Sequence, residues 1–426
     1  MTYDVIIKDV EIIDKNDGKT YNIGITGHNI AYIGTDAIEG KEVIEGKDHL
    51  AVPGFVNAHT HVAMNLLRSY ADDLPLMEWL TKKIWPAEEH LDAETVYWGT
   101  QHAILEMLKN GVTCFSDMYF FMEQSAQAAA DTGMRCTLSR GIIGPKLSDT
   151  INRLKENTEL FHKWHGYDDN RIKVMLGPHA PYTCPPASIE AIVKEAQNLH
   201  CSMHIHLAET AGEVSDCQKQ YGYTPIALMD SLGLFELPTV AAHCVHVTPE
   251  DIAILAKKNV SVAHCPQSNL KLASGIAPIA DMLKAKINVA LGTDGAASNN
   301  NLDMLEEARL AAILAKGSTG DSTVVPAKTA LQMATVNGAK ALGYDDLGTI
   351  SLNQKADIVL YDMHKPWWYP RNNRVSLLIY AANSTDVDTV LINGKILMKR
   401  GEMLTIDTEK VYAEATKQAK KLTATH

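Results

Sequence analysis

Eight short apolar runs recur through the middle of the chain, each followed by a stretch with Ala, Leu, Glu and Lys at helical spacing. They cover residues 51–61, 111–119, 135–142, 172–181, 201–209, 239–247, 261–269 and 288–299. Strand–helix alternation implies a parallel sheet covered by helices. Eight such units are the number that closes into a TIM-like (β/α)8 barrel. Nearly every run stops at chemically capable side chains. In order these are His59 and His61, Asp117, Arg140, His179, His206 and Glu209, His243 and His246, His264 and Asn269, and Asp294. Barrels of this type build their active sites at the C-terminal strand ends. Strands that only packed a core would have no reason to place reactive groups at corresponding ends.

The flanks have a different rhythm. Residues 2–50 read as short β-branched strands broken by turns such as Asn16-Asp17-Gly18. Residues 356–360 read as a strand, 387–398 as a hairpin turning at Asn393-Gly394, and 409–422 as a polar closing helix. The expected division is a small β-sandwich domain built from both termini (1–52 and 349–426) around a barrel at 53–348. The 426 residues, 46% apolar and 21% charged, suffice for a large core. A net charge of −12 argues against non-specific partnership with nucleic acid or anionic membranes. Seven cysteines without a Cys-x-x-Cys pair suit a reducing compartment. Neither a basic leader nor an apolar stretch of spanning length is visible. A soluble cytoplasmic protein is expected. The residues leave open whether it is a homo-oligomer.

In a strand, alternate side chains share a face, so His59 and His61 point the same way at a strand's end. His204-Ile205-His206 repeats the spacing on the fifth run, and Asp294 ends the eighth. Three imidazoles and a carboxylate around one divalent cation, with a position left for water, form a catalytic mixture. Zinc suits it best, and iron or manganese accept the same donors. Such an ion lowers the pKa of water toward neutrality and creates a hydroxide nucleophile. Glu209, three residues past His206, is a candidate proton shuttle, and His243 is placed to hold the same water. Only one of His204 and His206 need reach the ion, so His204 reads as a packing histidine. His246 and His264 read as structural. Asp117 reads as a hydrogen-bonding group inside the barrel.

These pieces resemble the amidohydrolase superfamily, and within it the 5′-methylthioadenosine/S-adenosylhomocysteine deaminase branch. The matching stretches are Pro53-Gly54-Phe55-Val56-Asn57-Ala58-His59-Thr60-His61, His206-Leu207-Ala208-Glu209, Ala242-His243-Cys244-Val245-His246, Ser268-Asn269-Leu270-Lys271-Leu272 and Leu291-Gly292-Thr293-Asp294-Gly295 through Asn300. The resemblance implies metal binding by His59, His61, His206 and Asp294. It implies that Glu209 carries a proton to purine N1 while the hydroxide attacks C6. His243 would orient the water, and Asp294 would pass a proton to departing ammonia. Two-metal relatives carry a carboxylated lysine at the end of the fourth strand. Here that end reads Leu176-Gly177-Pro178-His179, and Lys173 sits near the strand's start, so one ion per chain is expected.

For the substrate side, the resemblance implies that His179 contacts the nucleoside and that Glu88, next to Glu89, takes the ribose hydroxyls. It implies that Arg140 lies beside the substrate. Arg153, in a stretch that reads as a loop or as a surface helix, would meet the carboxylate of a homocysteine tail. Residues 62–91, with Met64, Leu67, Met77, Trp79 and Trp85, read as a lid over an apolar pocket. The expected substrate is a small nucleoside. The alternatives are a related aminohydrolase of guanine, an oxidised purine or a pterin, and a chlorotriazine-type hydrolase.

Overall fold

The computed structural model describes residues 2–424. Five strands open the chain: β1 (Thr2–Ile12), β2 (Thr20–Thr26), β3 (Asn29–Gly34), β4 (Glu39–Glu45) and β5 (His49–Pro53). Nine more alternate with helices: β6 (Phe55–Thr60), β7 (Val112–Tyr119), β8 (Arg135–Ile142), β9 (Ile172–Val174), β10 (Gly177–Pro178), β11 (Met203–Leu207), β12 (Thr239–His243), β13 (Ser261–His264) and β14 (Asn288–Leu291). The last four are β15 (Ile358–Asp362), β16 (Val387–Ile392), β17 (Lys395–Lys399) and β18 (Glu402–Met403).

The middle strands form the barrel. β6, β7, β8 and β9–β10 pair in parallel, and so do β11 through β14. β9 and β10 occupy one of the eight staves, interrupted at Met175 and Leu176. Two seams close the ring. His204 N donates to Leu176 O and His206 N to His179 O, each at 3.0 Å. Across the other seam Asp294 N donates to His59 O at 3.0 Å. Gly292 permits that approach, because a Cβ there would meet His59 O at 2.7 Å. The staves are buried along nearly their whole length, as a sheet covered by helices requires.

Local signals set the surrounding helices. The helix Ala93–Lys109 starts where Asp92 accepts from Thr95 N, and Pro249–Lys257 starts at a Thr248/Asp251 capping box. Arg153 lies inside the helix Leu147–Trp164 and not in a loop. Its buried positions, Thr150, Leu154, Asn157, Leu160 and Trp164, keep helical spacing.

The terminal strands form one hydrogen-bonded sheet in the order β18-β17-β16-β15-β5-β1-β2-β3, with β4 on β1. It curls until β3 meets the segment before β15, where Ile30 N donates to Gln354 O at 2.9 Å and Ala356 N to His28 O at 2.8 Å. Its two halves thus face each other across a core that includes Ile7, Ile23, Ile25, Ile358 and Leu391. The barrel's N-terminal mouth is tied to this sheet by Arg135 at the start of β8. Its guanidinium donates to both carboxylate oxygens of Asp357, at 2.7 and 3.0 Å, with neither side chain exposed. Lys173 sits at that same mouth, bonded to Gly343 O and lying 4.0 Å over the Tyr344 ring. Among the described residues no helix is long and apolar enough to cross a membrane.

Candidate active site

At the opposite mouth, His59 near the end of β6 and His61, one residue past it, enter one space. His61 Nε2 lies 3.3 Å from Asp294 Oδ1 and 3.3 Å from His206 Nε2, and His59 Nε2 lies 3.6 Å from Asp294 Oδ1. His59, His61 and Asp294 hold their donor atoms within 4.8 Å of one another, as do His59, His206 and His243. Ligand arms of about 2.0–2.1 Å around a tetrahedral ion set donor–donor edges at about 3.3–3.4 Å. The observed separations match. His59 Nε2 is buried without a hydrogen-bond partner, an orphaned atom that a bound ion would satisfy. The cluster is therefore able to bind a metal ion.

Each far ring nitrogen is held. His61 Nδ1 donates to Met118 O at 2.6 Å and His206 Nδ1 to His179 O at 2.8 Å. His59 Nδ1 sits 2.8 Å from His204 Nε2. Asp294 is fixed through Oδ2 by the hydroxyls of Ser268 (2.6 Å) and Ser298 (3.0 Å), and through Oδ1 by Gly295 N (2.8 Å). Burial would raise its carboxyl, but His59 and His61 beside it hold it well below the usual carboxylate range. Burial likewise disfavours a charged His61, yet the Asp294 carboxylate lifts it to about 9.

Glu209 follows β11 by two residues. Ala208 before it has φ +52°, and the N–H groups of Ala208 and Glu209 both donate to the Glu213 carboxylate, at 2.9 and 2.8 Å. This buried turn aims Glu209 at the donor cluster. Its Oε2 lies 3.8 Å from His243 Nε2, and its Oε1 accepts from Ser274 Oγ at 3.3 Å. Burial raises the Glu209 carboxyl. His243 Nδ1 is paired with Asn269 Oδ1 at 2.9 Å, which leaves Nε2 facing Glu209 and the donors. His243 and Asp294 both have positive φ (72° and 62°), backbone strain of the kind concentrated at functional sites.

Above the cluster lies a cavity of ≈ 720 Å³, including its open mouth. His61, Glu209, His243 and Asp294 form its floor, and Trp79, Ile84 and Trp85 from residues 76–88 cover it. Glu88 also faces inward. It accepts from Tyr119 OH at 2.7 Å, and burial pushes its carboxyl up to about 7, whereas Glu89 is exposed. His179 lines the same cavity, its Nδ1 2.9 Å from Thr183 Oγ1, and burial holds it down to about 3 and therefore neutral.

Arg140 is not in this inner cavity. It lines an adjoining groove with Trp85, Glu88 and Phe120, donates to Glu156 at 2.7 Å, and stands 4.9 Å over the Phe120 ring. Arg153 lines neither space. Of the other histidines, His264 is buried with Nδ1 unpartnered, and His246 meets Ser274 O at 2.6 Å. Asp117 accepts from Val62 N at 3.1 Å.

Asn269 was expected at a strand end, but Ser268, Ser274 and Glu213 escape that reading. Ser268, Asn269 and Ser274 come from one short segment and touch Asp294, His243 and Glu209 in turn. Glu213 carried a signal in Thr210-x-x-Glu213, the spacing of a capping box. Thr210 does accept from Glu213 N at 3.1 Å, but the Glu213 carboxylate reaches past the cap to the two preceding amides.

The profile of the amidohydrolase family matches residues 50–397. A 5-methylthioadenosine/S-adenosylhomocysteine deaminase of Moorella thermoacetica is 54% identical over 412 residues, covering 96% of this chain and 95% of the relative. The protein of that name from Caldanaerobacter subterraneus is 48% identical, covering 98% of each chain. Among solved structures, an adenosine deaminase from Xanthomonas campestris with bound zinc superposes with a TM-score of 0.95 at 37% identity, covering 100% of this chain and 99% of that one. A mutant atrazine chlorohydrolase from Arthrobacter aurescens, complexed with zinc and atraton, shares the fold with a TM-score of 0.90 at 23% identity, covering 97% of this chain and 100% of that one.

Proposed function

As the chain belongs to the amidohydrolase family, we propose that it is a hydrolytic deaminase of 5′-methylthioadenosine and S-adenosylhomocysteine, releasing ammonia and the inosyl product. The observation that carries this reading is Glu209. It is a buried carboxyl with raised pKa, 3.8 Å from His243 and beside the donor cluster, at the floor of a cavity whose other wall holds Glu88.

Hydrolytic deamination adds the oxygen of water to C6, moves one water proton to N1 and expels the amino nitrogen with another proton as ammonia. His59, His61, His206 and Asp294 hold one divalent ion, with zinc the best match to three imidazoles and a carboxylate. When bound, the ion supplies Lewis acidity and makes water nucleophilic at neutral pH. His243, oriented by Asn269, holds the attacking water through Nε2. Glu209 takes a proton on that side and delivers it to N1, a task suited to a carboxyl tuned toward neutrality. Asp294 relays the second proton to the leaving nitrogen. The end of the fourth stave, Leu176-Gly177-Pro178-His179, carries no lysine, which supports a single ion; Lys173 of that stave lies at the other mouth.

Glu88 accepts the ribose hydroxyls in its ionised form, and His179 contacts the purine as a neutral donor or acceptor. Arg140 in the outer groove serves a charged tail, whereas Arg153 lines neither space. Seven free, buried cysteines support a cytoplasmic setting. Ammonia release by the zinc-loaded protein, measured on adenosine, methylthioadenosine, adenosylhomocysteine, guanine and a pterin, tests the assignment. The two thioether nucleosides should turn over with the highest kcat/KM. Preference for guanine or the pterin would overturn it.

A further inference from the structure

The three histidines that face the cation position differ in what holds their far nitrogens. His61 and His206 donate Nδ1–H to the backbone carbonyls of Met118 and His179, partners that no substitution removes. His59 Nδ1 instead meets a side chain, His204 Nε2, at 2.8 Å. Both rings are completely buried, so water cannot stand in for either.

We infer that His204 is the positioning residue that sets the tautomer of His59 and thereby makes it a ligand. The inference rests on the reading of His59 as part of the metal site. Only one direction of the His59–His204 hydrogen bond is compatible with binding. His59 must present a bare Nε2 to the ion, so its single proton sits on Nδ1 and is donated to His204 Nε2. His204 is then the acceptor, and its own proton sits on Nδ1, which lies 3.3 Å from Ser116 Oγ. The reverse direction places the His59 proton on Nε2, aimed at the cation. The Ser116 hydroxyl, buried on β7, can accept the His204 Nδ1 proton.

Zinc alone is the probe. Its dissociation constant is measured by competition with a chelating dye on metal-stripped full-length protein, alongside the melting temperature of the stripped form. His204→Leu removes the acceptor and should weaken zinc binding by about 10- to 100-fold, the usual loss when the outer partner of a ligating histidine is deleted. His204→Gln carries a carbonyl oxygen at the reach of the imidazole Nε2 and should retain most of the affinity. The melting temperature of the stripped form separates lost folding from lost binding. Wild-type affinity in His204→Leu, with His59→Ala impaired, would overturn the inference. So would a Gln variant as weak as Leu at equal apo stability. Unchanged affinity in His59→Ala would instead overturn the underlying site reading.

Discussion

Replacing Glu209 by Gln isolates proton transfer from architecture. The amide is isosteric, can keep the contact to Ser274 Oγ, and leaves the Ala208 and Glu209 amides on Glu213 untouched. None of the separations of 3.3–3.6 Å among the metal-facing donors involves Glu209, so zinc content should stay at the wild-type level. An amide cannot cycle a proton between water and N1. General acid–base groups contribute about 10²–10⁴-fold, so kcat should fall by that factor, equivalent to about 3–5 kcal/mol of barrier. KM should change little, because substrate contacts come from the cavity walls. Glu209→Asp retracts the carboxyl by one methylene and should also be severely impaired, since an ångström of misplacement can cost about 10²-fold. The assay couples ammonia release to a spectrophotometric readout, with elemental analysis on the same samples. A Gln variant within tenfold of wild type (the lower bound for such a group being about 10²-fold) would remove Glu209 from the chemistry. A loss that tracked metal depletion would refute the separation of roles.

Glu88 is pushed up to about 7, so ribose binding, which needs the carboxylate, should strengthen as pH rises through 7. In Glu88→Gln that limb of the kcat/KM profile should vanish, KM should rise, and kcat at saturation should hold. His61 is lifted to about 9 by Asp294, so zinc entering the stripped protein at pH 7 must displace its proton. Calorimetry in buffers of different ionisation enthalpy should detect about one proton released, with affinity rising as pH approaches 9; pH-independent binding would contradict this. Arg135→Met strands the Asp357 carboxylate at the closed mouth and should destabilise the fold by about 3–5 kcal/mol in denaturant titration, with the stripped protein showing the same loss.

What could be read from the residues follows from how the barrel is built. A stave ends in the same place whatever covers it, so histidines at strand ends were visible as a set, and the two-residue spacing of His59 and His61 already assigned them to one face. His204 and His206 share that spacing too, and nothing in the string distinguishes the one at the cation from the one behind it. The distinction is made by the seam at which His206 N meets His179 O while His204 packs against His59. The helix containing Arg153 was legible only as one of two readings, because Thr150 and Asn157 occupy buried positions where an amphipathic pattern expects apolar residues. Thr150 bonds there to Ser188 and Gly144, and Asn157 Nδ2 to Arg140 O, partners outside the helix. The segment 268–274 was legible in part, Asn269 at a run's end and 268–272 as a matching motif, but not Ser274. Its role depends on three separate tertiary contacts that no local spacing encodes.

Anomalous diffraction at the zinc edge from crystals of the loaded protein tests the central geometry directly. One peak should appear per chain, about 2.0–2.2 Å from His59 Nε2, His61 Nε2, His206 Nε2 and an Asp294 oxygen. It should have an open side toward Glu209 and His243. A peak elsewhere, a second ion in the same mouth, or an ion sealed from the cavity would contradict the account.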